Sequence, residues 1–82
     1  MAYVYILFSV SLNRYYIGHT TTTPLERLQK HLTNHDGFTA KAKDWTIVFQ
    51  EPFHSKELAL RRELAIKAKK SRAYIEKLIS SC

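Results

Sequence analysis

The first 20 residues contain two short apolar runs separated by a polar stretch. The runs cover residues 3–8 and 15–17, and residues 9–14 lie between them. Aromatic and β-branched residues dominate both runs, and these residue types favour strands. Two such strands joined by a short polar connector predict a β-hairpin, which Gly18 closes.

The predicted hairpin carries four of the chain's five tyrosines. Because side chains alternate between the faces of a strand, Tyr3 and Tyr5 share one face, whereas Tyr15 and Tyr16 point to opposite faces. Tyrosine is common in strands, and a buried ring with a solvated hydroxyl is ordinary packing. Gly18 adds a functional alternative, since a glycine beside paired phenols lets a ligand or another backbone approach closely.

A first helix is predicted to begin at Pro24. Thr23 suits the N-cap, proline suits the first helical position, and Glu26 completes a capping box. Three leucines recur at helical spacing and predict the buried stripe of this helix. They are Leu25, Leu28 and Leu32.

A different face of the same helix carries Arg27 and His31, which are four residues apart and therefore neighbours. Such a pair suits an anionic ligand such as phosphate, and His31 can also carry protons near neutral pH. Surface helices often carry similar neighbours without a function. The helix is predicted to end near residues 35–37, and an exposed loop over residues 38–43 adds the basic residues Lys41 and Lys43.

A third strand is predicted over residues 45–49, with Trp45, Ile47 and Phe49 on one face and Pro52 ending it. Trp45 is expected to anchor the core or its edge. The element order up to this point is strand, strand, helix, strand.

Two further helices are predicted in the last third of the chain. Ser55 suits the cap of a helix that runs to about Lys69, and Ser71 suits the cap of another that runs from residue 72 to about residue 80. The apolar residues of the second helix spread around its circumference, which predicts contacts on more than one side. The third helix has a clear apolar face, formed by Ile75, Leu78 and Ile79.

Glu63 lies in the second predicted helix between the apolar residues Leu60 and Ile66. An unpaired carboxylate in such surroundings is costly. Lys67, at the favourable four-residue spacing, offers a salt bridge. The alternative is a divalent cation, because a hard cation prefers carboxylate oxygen and can be held by one carboxylate, water and a substrate phosphate.

Length and composition indicate one folded domain over residues 1–82. The chain is 45% hydrophobic and 24% charged, which is ordinary for globular proteins and argues against disorder. No apolar run approaches membrane-spanning length and no signal-peptide pattern is present, so a cytoplasmic location is expected. The single cysteine, Cys82, excludes an internal disulfide framework and a cysteine-based metal cage.

The formal net charge of +6 indicates an anionic partner. Eight of the 13 basic residues but only three of the seven acidic residues lie from residue 56 onward. This part of the chain therefore suits nucleic-acid phosphates, although a solvated helix surface is an equally good explanation of its charge. The predicted nucleic-acid contacts are Lys41, Lys43, Lys67, Lys69, Lys70 and Arg72.

Five motif positions, taken in order, resemble the GIY-YIG nuclease superfamily: Tyr3-Val4-Tyr5, Tyr16-Ile17-Gly18, Arg27, His31 and Glu63. The resemblance covers essentially the whole chain. It is closest to the small stand-alone bacterial proteins related to the N-terminal nuclease domain of the nucleotide-excision-repair excinuclease. It implies an α+β fold in which a three-stranded antiparallel sheet is flanked by three helices, in the order β-β-α-β-α-α.

The resemblance also implies an activity, which is metal-dependent hydrolysis of phosphodiester bonds in DNA, in repair or processing of structured DNA. One divalent cation, Mg²⁺ or Mn²⁺, is implied as cofactor with Glu63 as its ligand. Tyr5 matches the tyrosine of the first motif and is expected to be the base, with Tyr16 orienting the water or phosphate and His31 relaying the proton. Because a free phenol has a pKa of about 10, Tyr5 needs nearby positive charge, from Arg27 and the cation, to act as a base at neutral pH.

A second hypothesis is a non-catalytic nucleic-acid-binding module that keeps the nuclease fold, with its basic residues on phosphates. RNA remains an alternative to DNA as the partner under both hypotheses. A partner protein is a further alternative for directing the domain to its substrate. A protein-interaction domain without nucleic acid is the weakest alternative, because the net charge favours anions.

Overall fold

The computed structural model describes residues 1–33 and 42–81, except for the side chains of His31 and Thr33. The predicted helix end at residues 35–37 therefore lies outside the described residues. The element order confirms the predicted α+β class and the order β-β-α-β-α-α. The elements are β1 (Ala2–Ser9), β2 (Arg14–Thr20), α1 (Pro24–Thr33), β3 (Trp45–Phe53), α2 (Lys56–Ala68) and α3 (Arg72–Ser80).

The three strands form one antiparallel sheet in the order β2-β1-β3, so the apolar strand β1 is central and β2 is an edge strand. Residues 10–13 connect β1 to β2, and Asn13 takes a left-handed conformation with φ of 53°. Asparagine tolerates this conformation better than most residues. In the register of the hairpin Tyr5 lies opposite Gly18.

Asp44 fixes the hairpin connector to the start of β3. Its carboxylate accepts hydrogen bonds from the Ser9 hydroxyl at 2.6 Å and from the Ser11 backbone N–H at 2.7 Å. These hydrogen bonds, with that from Ser9 the largest cause, hold the pKa of Asp44 below its ordinary value because they favour the charged carboxylate.

The two faces of the sheet are covered by different helices. On one face Val4 and Ile6 pack with Ala59 and Ile66 of α2, and the apolar face of α3 joins them. This contact confirms the apolar face predicted for α3. The opposite face has its own cluster, which packs against α1 and consists of Tyr5, Leu7, Leu28, Ala42 and Trp45. The sheet therefore lies between α1 and the α2-α3 pair, and Trp45 is a core residue as predicted.

The predicted caps are confirmed at all three helices. The Thr23 hydroxyl accepts a hydrogen bond from the Glu26 N–H at 3.3 Å, and the hydroxyls of Ser55 and Ser71 accept equivalent bonds in α2 and α3. The stripe predicted for α1 is wrong at Leu25, which is 58% exposed. Its place is taken by Pro24, which is buried and lies four residues before Leu28, on the same side of the helix.

The third strand departs from the prediction in two ways. Its register against β1 shifts between Ile6 and Leu7, so that Ile6 pairs with Phe49 but Leu7 pairs with Ile47. The extra residue reverses the alternation, and Phe49 joins the α2 face rather than sharing a face with Trp45. The strand also continues through Pro52, which is tolerated because β3 is an edge strand.

The expectation that α2 makes contacts on more than one side is wrong. Leu58, Leu60 and Leu64 are exposed, and the buried residues of α2 are Ala59, Glu63 and Ile66. These three positions recur at helical spacing and define one buried side. None of the helices in the described part of the chain combines the length and apolar character needed to cross a bilayer.

Candidate active site

Tyr5 and Gly18 fit together across the hairpin. The Tyr5 side chain is buried, and a methyl group added at Gly18 would lie 2.6 Å from the Tyr5 hydroxyl oxygen and 2.8 Å from its Cζ. The same methyl position is 3.2 Å from Cε1 of Tyr16, whose ring centroid lies 6.4 Å from that of Tyr5. The absence of a side chain at Gly18 therefore makes room for the phenol rings of Tyr5 and Tyr16, which lie on the same face of the sheet.

The Tyr5 hydroxyl forms a hydrogen bond with the Arg27 side chain. Burial raises the pKa of Tyr5 to about 12, and the bond to Arg27 lowers it by less than burial raises it. The nearby charge of Glu63 raises it further. The phenol therefore keeps its proton at neutral pH, which is opposite to the condition that a base requires.

Both carboxylate oxygens of Glu63 have partners. His19 Nδ1 lies 2.5 Å from Oε1, and Lys67 Nζ donates a hydrogen bond to Oε2 at 2.6 Å. The Glu63 side chain is only 9% exposed, so the two contacts provide the compensation that a buried carboxylate needs. The pair with Lys67 is the salt bridge considered from the sequence, whereas the contact with His19 was not predicted.

A hollow of about 280 Å³, called here the β2 hollow, lies at the C-terminal end of β2 and is lined by Arg27, the partner of Tyr5, and by His19, the partner of Glu63. Its lining contains Arg27 from α1 and Lys56 from the start of α2, together with His19, Thr20 and Thr21. Residues from helices on opposite faces can meet here because β2 is an edge strand. Two cations and two hydroxyl groups around one small hollow suit a phosphate.

The family model for the GIY-YIG catalytic domain matches residues 1–77. The chain belongs to the GIY-YIG family. Membership supports a nuclease-type function in general and a nucleic-acid substrate, and nucleases of this family generally depend on a divalent metal. No match to the chain was found among curated proteins or among solved structures.

The GIY-YIG domain brings four of the five residues predicted for its site into one neighbourhood. Tyr5 and Tyr16 contact the space beside Gly18, Arg27 bonds to Tyr5, and Glu63 acts on the same phenol through its charge. The fifth residue, His31, belongs to α1, but its side chain lies outside the described residues.

Among its described residues, the GIY-YIG domain can offer a metal ion one carboxylate ligand but not a complete set of protein ligands. No cluster of three or more His, Cys, Asp or Glu side chains that could hold a metal occurs among the described residues. A cage of protein ligands alone is therefore not formed in this part of the chain. The nearly buried carboxylate of Glu63, whose partner His19 lines a phosphate-sized hollow, fits a hard cation that takes its other ligands from water and substrate.

The basic residues predicted to contact nucleic acid have different environments. Lys41 lies outside the described residues, and Lys43 Nζ donates a hydrogen bond to the Leu32 carbonyl at 2.6 Å. The Lys69 ammonium lies 5.5 Å from the centre of the Tyr74 ring. The other three residues line a second hollow, described below, and they are Lys67, Lys70 and Arg72.

Arg72 joins α3 to the hairpin connector. Its guanidinium donates hydrogen bonds to the backbone oxygen of Asn13 at 2.9 Å and to the Asn13 side-chain oxygen at 2.7 Å. It also donates to Glu76 at 3.1 Å and lies 5.1 Å from the centre of the Tyr15 ring. We call these contacts the Arg72 clamp.

Sequence reasoning missed four of the five residues that line the β2 hollow: His19, Thr20, Thr21 and Lys56. The signal for His19 was present, because it follows Gly18 and strand alternation turns it away from the phenols, towards α2. Its partner Glu63 lies 44 residues further along the chain, so their contact depends on the tertiary fold. Lys56 begins α2, and no local pattern indicated that this helix starts beside β2.

Proposed function

We propose that this GIY-YIG domain is a divalent-metal-dependent endonuclease that hydrolyses phosphodiester bonds in DNA, in the repair or processing of structured DNA. The main supporting observation is that a small cation-lined hollow contains Arg27, which bonds to Tyr5, and His19, which contacts Glu63, while the charge of Glu63 also acts on Tyr5. Each of these residues comes from a different element, so their meeting is a property of the fold.

The phosphate is held mainly by Arg27 and Lys56. Hydrolysis places extra negative charge on the phosphate oxygens, and fixed cations in a hollow stabilise that charge more than they stabilise the substrate. Arg27 is already oriented by its bond to Tyr5, so little reorganisation is needed when the phosphate binds.

A divalent cation is proposed to bind at Glu63. When bound there, Mg²⁺ or Mn²⁺ supplies positive charge for the phosphate oxygens and lowers the pKa of a water molecule. His19 and Lys67 each hold one oxygen of this carboxylate and thereby fix its direction. We assign both of them as positioning residues.

Tyr5 has a conditional role in this mechanism. With a pKa raised to about 12, its hydroxyl remains a hydrogen-bond donor in the protein alone. It can take a proton from the attacking water only where added positive charge lowers that pKa. Tyr16, which is half-buried beside it, is proposed to orient the water or phosphate, and the relay role of His31 stays a prediction from the sequence.

Cleavage assays with matched variants test the proposal. We expect branched, nicked or single-stranded DNA to be cut in Mg²⁺ or Mn²⁺, and we expect Glu63→Ala and Arg27→Ala each to reduce the rate by about 100-fold or more. Glu57→Ala and Arg61→Ala are the controls, because these exposed residues of α2 pair only with each other among the described ion pairs. Cleavage that survives Glu63→Ala, or that needs no metal, would contradict the proposal.

A non-catalytic nucleic-acid-binding module is the second candidate. The fully paired carboxylate of Glu63 and the protonated phenol of Tyr5 favour it, because both are stable arrangements without metal or substrate. Salt-sensitive binding of DNA or RNA with no cleavage of either, in either metal, would support this candidate and exclude the enzyme.

A further inference from the structure

A second hollow, of about 520 Å³, lies on the α3 side of Glu63. We call it the α3 hollow. It is formed where the end of the hairpin connector and β2 face the C-terminal half of α2 and the start of α3. Its lining residues are Asn13, Arg14, Tyr15, Ile17, Ile66, Lys67, Lys70, Ser71, Arg72 and Ile75.

The α3 hollow combines an apolar floor with a basic rim. Ile17, Ile66 and Ile75 provide three branched apolar side chains, of which the first two are buried in the core. The described residues that line the hollow include four cations and no acidic side chain. A ligand with an apolar planar part and a negative charge would match both components.

Two of the four cations have no compensating acid. Lys67 pairs with Glu63 and Arg72 pairs with Glu76. Arg14 and Lys70 are exposed and form no ion pair with any described residue. Positive charge without an acidic partner attracts anions to the mouth of a hollow. We therefore expect the negatively charged group of the ligand to bind beside Arg14 and Lys70.

The α3 hollow is directly connected to the candidate active site. Lys67 lines this hollow and also donates its hydrogen bond to Oε2 of Glu63, whose Oε1 contacts His19 of the β2 hollow. On α2 the two hollows are lined by Lys56 and Ile66, ten residues apart, which corresponds to about 15 Å along the helix axis. An occupant of the α3 hollow is therefore linked to the β2 hollow through Lys67, Glu63 and His19, and it lies further along the strand than the phosphate held there.

We propose that the α3 hollow binds one unpaired nucleotide of the strand that is cut. The base lies against the three isoleucines, and its phosphate interacts with Arg14 and Lys70. A base within a duplex is stacked and paired, whereas an unpaired base can turn outward and enter a pocket. The position of this nucleotide on the same strand as the scissile phosphate rests on the proposed function, but its binding does not require hydrolysis.

Methyl NMR tests the binding pocket without metal. The six isoleucines are labelled at their δ1 methyl groups, and thymidine 5′-monophosphate is added in the presence of EDTA. We expect the resonances of Ile17, Ile66 and Ile75 to shift while that of Ile47, on the opposite face, stays in place. Equal shifts on adding inorganic phosphate alone, or no shift of the three floor residues, would overturn the proposal.

Charge reversal tests the rim. Fluorescence anisotropy in EDTA compares a single-stranded oligonucleotide with a blunt duplex of the same length. We expect Arg14→Glu and Lys70→Glu each to weaken single-strand binding by about tenfold, since each reversal removes a charged contact with the phosphate and adds a repulsive one. Lys77→Glu is the control, because it makes the same charge change on α3 outside the hollow.

The variants also separate this proposal from the proposed function. Equal weakening by Lys77→Glu, or an equal loss of duplex and single-strand binding in the rim variants, would show general electrostatics and overturn the nucleotide pocket. Hydrolysis that depends on Glu63 could persist in that case. Conversely, a protein that never cleaves DNA but shows the isoleucine shifts would keep the pocket and lose the nuclease.

Discussion

The two hollows on either side of Glu63 differ in the groups that lie beside their cations. In the β2 hollow, Arg27 is bonded to Tyr5, and the neighbouring carboxylate of Glu63 has a partner on each oxygen. In the α3 hollow, Arg14 and Lys70 have no acidic partner among the described residues, and the floor is apolar. A cation oriented by a hydrogen bond near a fixed carboxylate suits the stabilisation of a reacting group, whereas cations beside an apolar floor suit binding.

Replacement of Glu63 should have the largest effect, and it should affect only one hollow. Glu63→Gln keeps the shape of the side chain and an acceptor for Lys67, but it removes the negative charge that would hold a cation. We expect a decrease in cleavage rate of about 100- to 1,000-fold. Mononucleotide binding in the α3 hollow, followed by the isoleucine methyl resonances, should not weaken, because Lys67 keeps its positive charge and its place in the lining. A parallel loss of both would show that the two hollows are a single site.

Gly18→Ala should disturb the β2 hollow through its packing. The added methyl group would lie 2.6 Å from the Tyr5 hydroxyl, so the buried ring must shift, and a cost of about 1–3 kcal/mol in the free energy of unfolding is expected. Removal of that hydroxyl in the double variant Gly18→Ala, Tyr5→Phe should restore part of the loss. Chemical denaturation of the four proteins in the cycle measures this coupling. Strictly additive effects would exclude the contact as the cause.

His19→Ala should weaken metal use rather than abolish catalysis. Groups that hold a metal-binding side chain in position typically change metal affinity by about 10- to 100-fold. We therefore expect the Mn²⁺ concentration for half-maximal cleavage to rise by at least about tenfold, while the rate at saturating metal falls less. His54→Ala, at an exposed position before α2, is the control. An unchanged metal dependence would remove His19 from the site.

The smallest effect is expected in alkaline solution. Because burial raises the pKa of Tyr5 to about 12, the folded protein holds this proton more tightly than the unfolded chain, whose phenols have a pKa of about 10. The associated stability is complete below about pH 10 and is lost as the pH rises towards 12. Urea denaturation should show a steeper loss of stability between about pH 10 and 12 for the native chain than for Tyr5→Phe. Parallel curves would contradict the buried, protonated phenol.

Local signals predicted the helix starts correctly. Thr23, Ser55 and Ser71 each bond to a backbone N–H three residues later, so the evidence for a cap is contained in four consecutive residues. The error at Phe49 has a different origin. It arises from a register shift between β3 and β1. Residues 45–49 carry no local sign that β3 contains one extra residue relative to β1 at this point.

The candidate site was predictable only as far as the motif residues extend. Tyr5, Tyr16, Arg27 and Glu63 were chosen by motif position, and the fold brings them together. The sequence did not indicate which side chains surround these residues and determine their chemistry. Burial of Tyr5 depends on packing against α1, and this burial moves its pKa away from the range that a base requires.

The Arg72 clamp links the turn between the first two strands to the last helix, so the rim of the α3 hollow is continuous across 59 residues of sequence. Turns between strands ordinarily tolerate insertions. Here an insertion beside Asn13 would separate Arg14 from α3 and widen the pocket. Under the functions proposed for the two hollows, turn length alone would change substrate preference, while the residues of the β2 hollow keep their geometry.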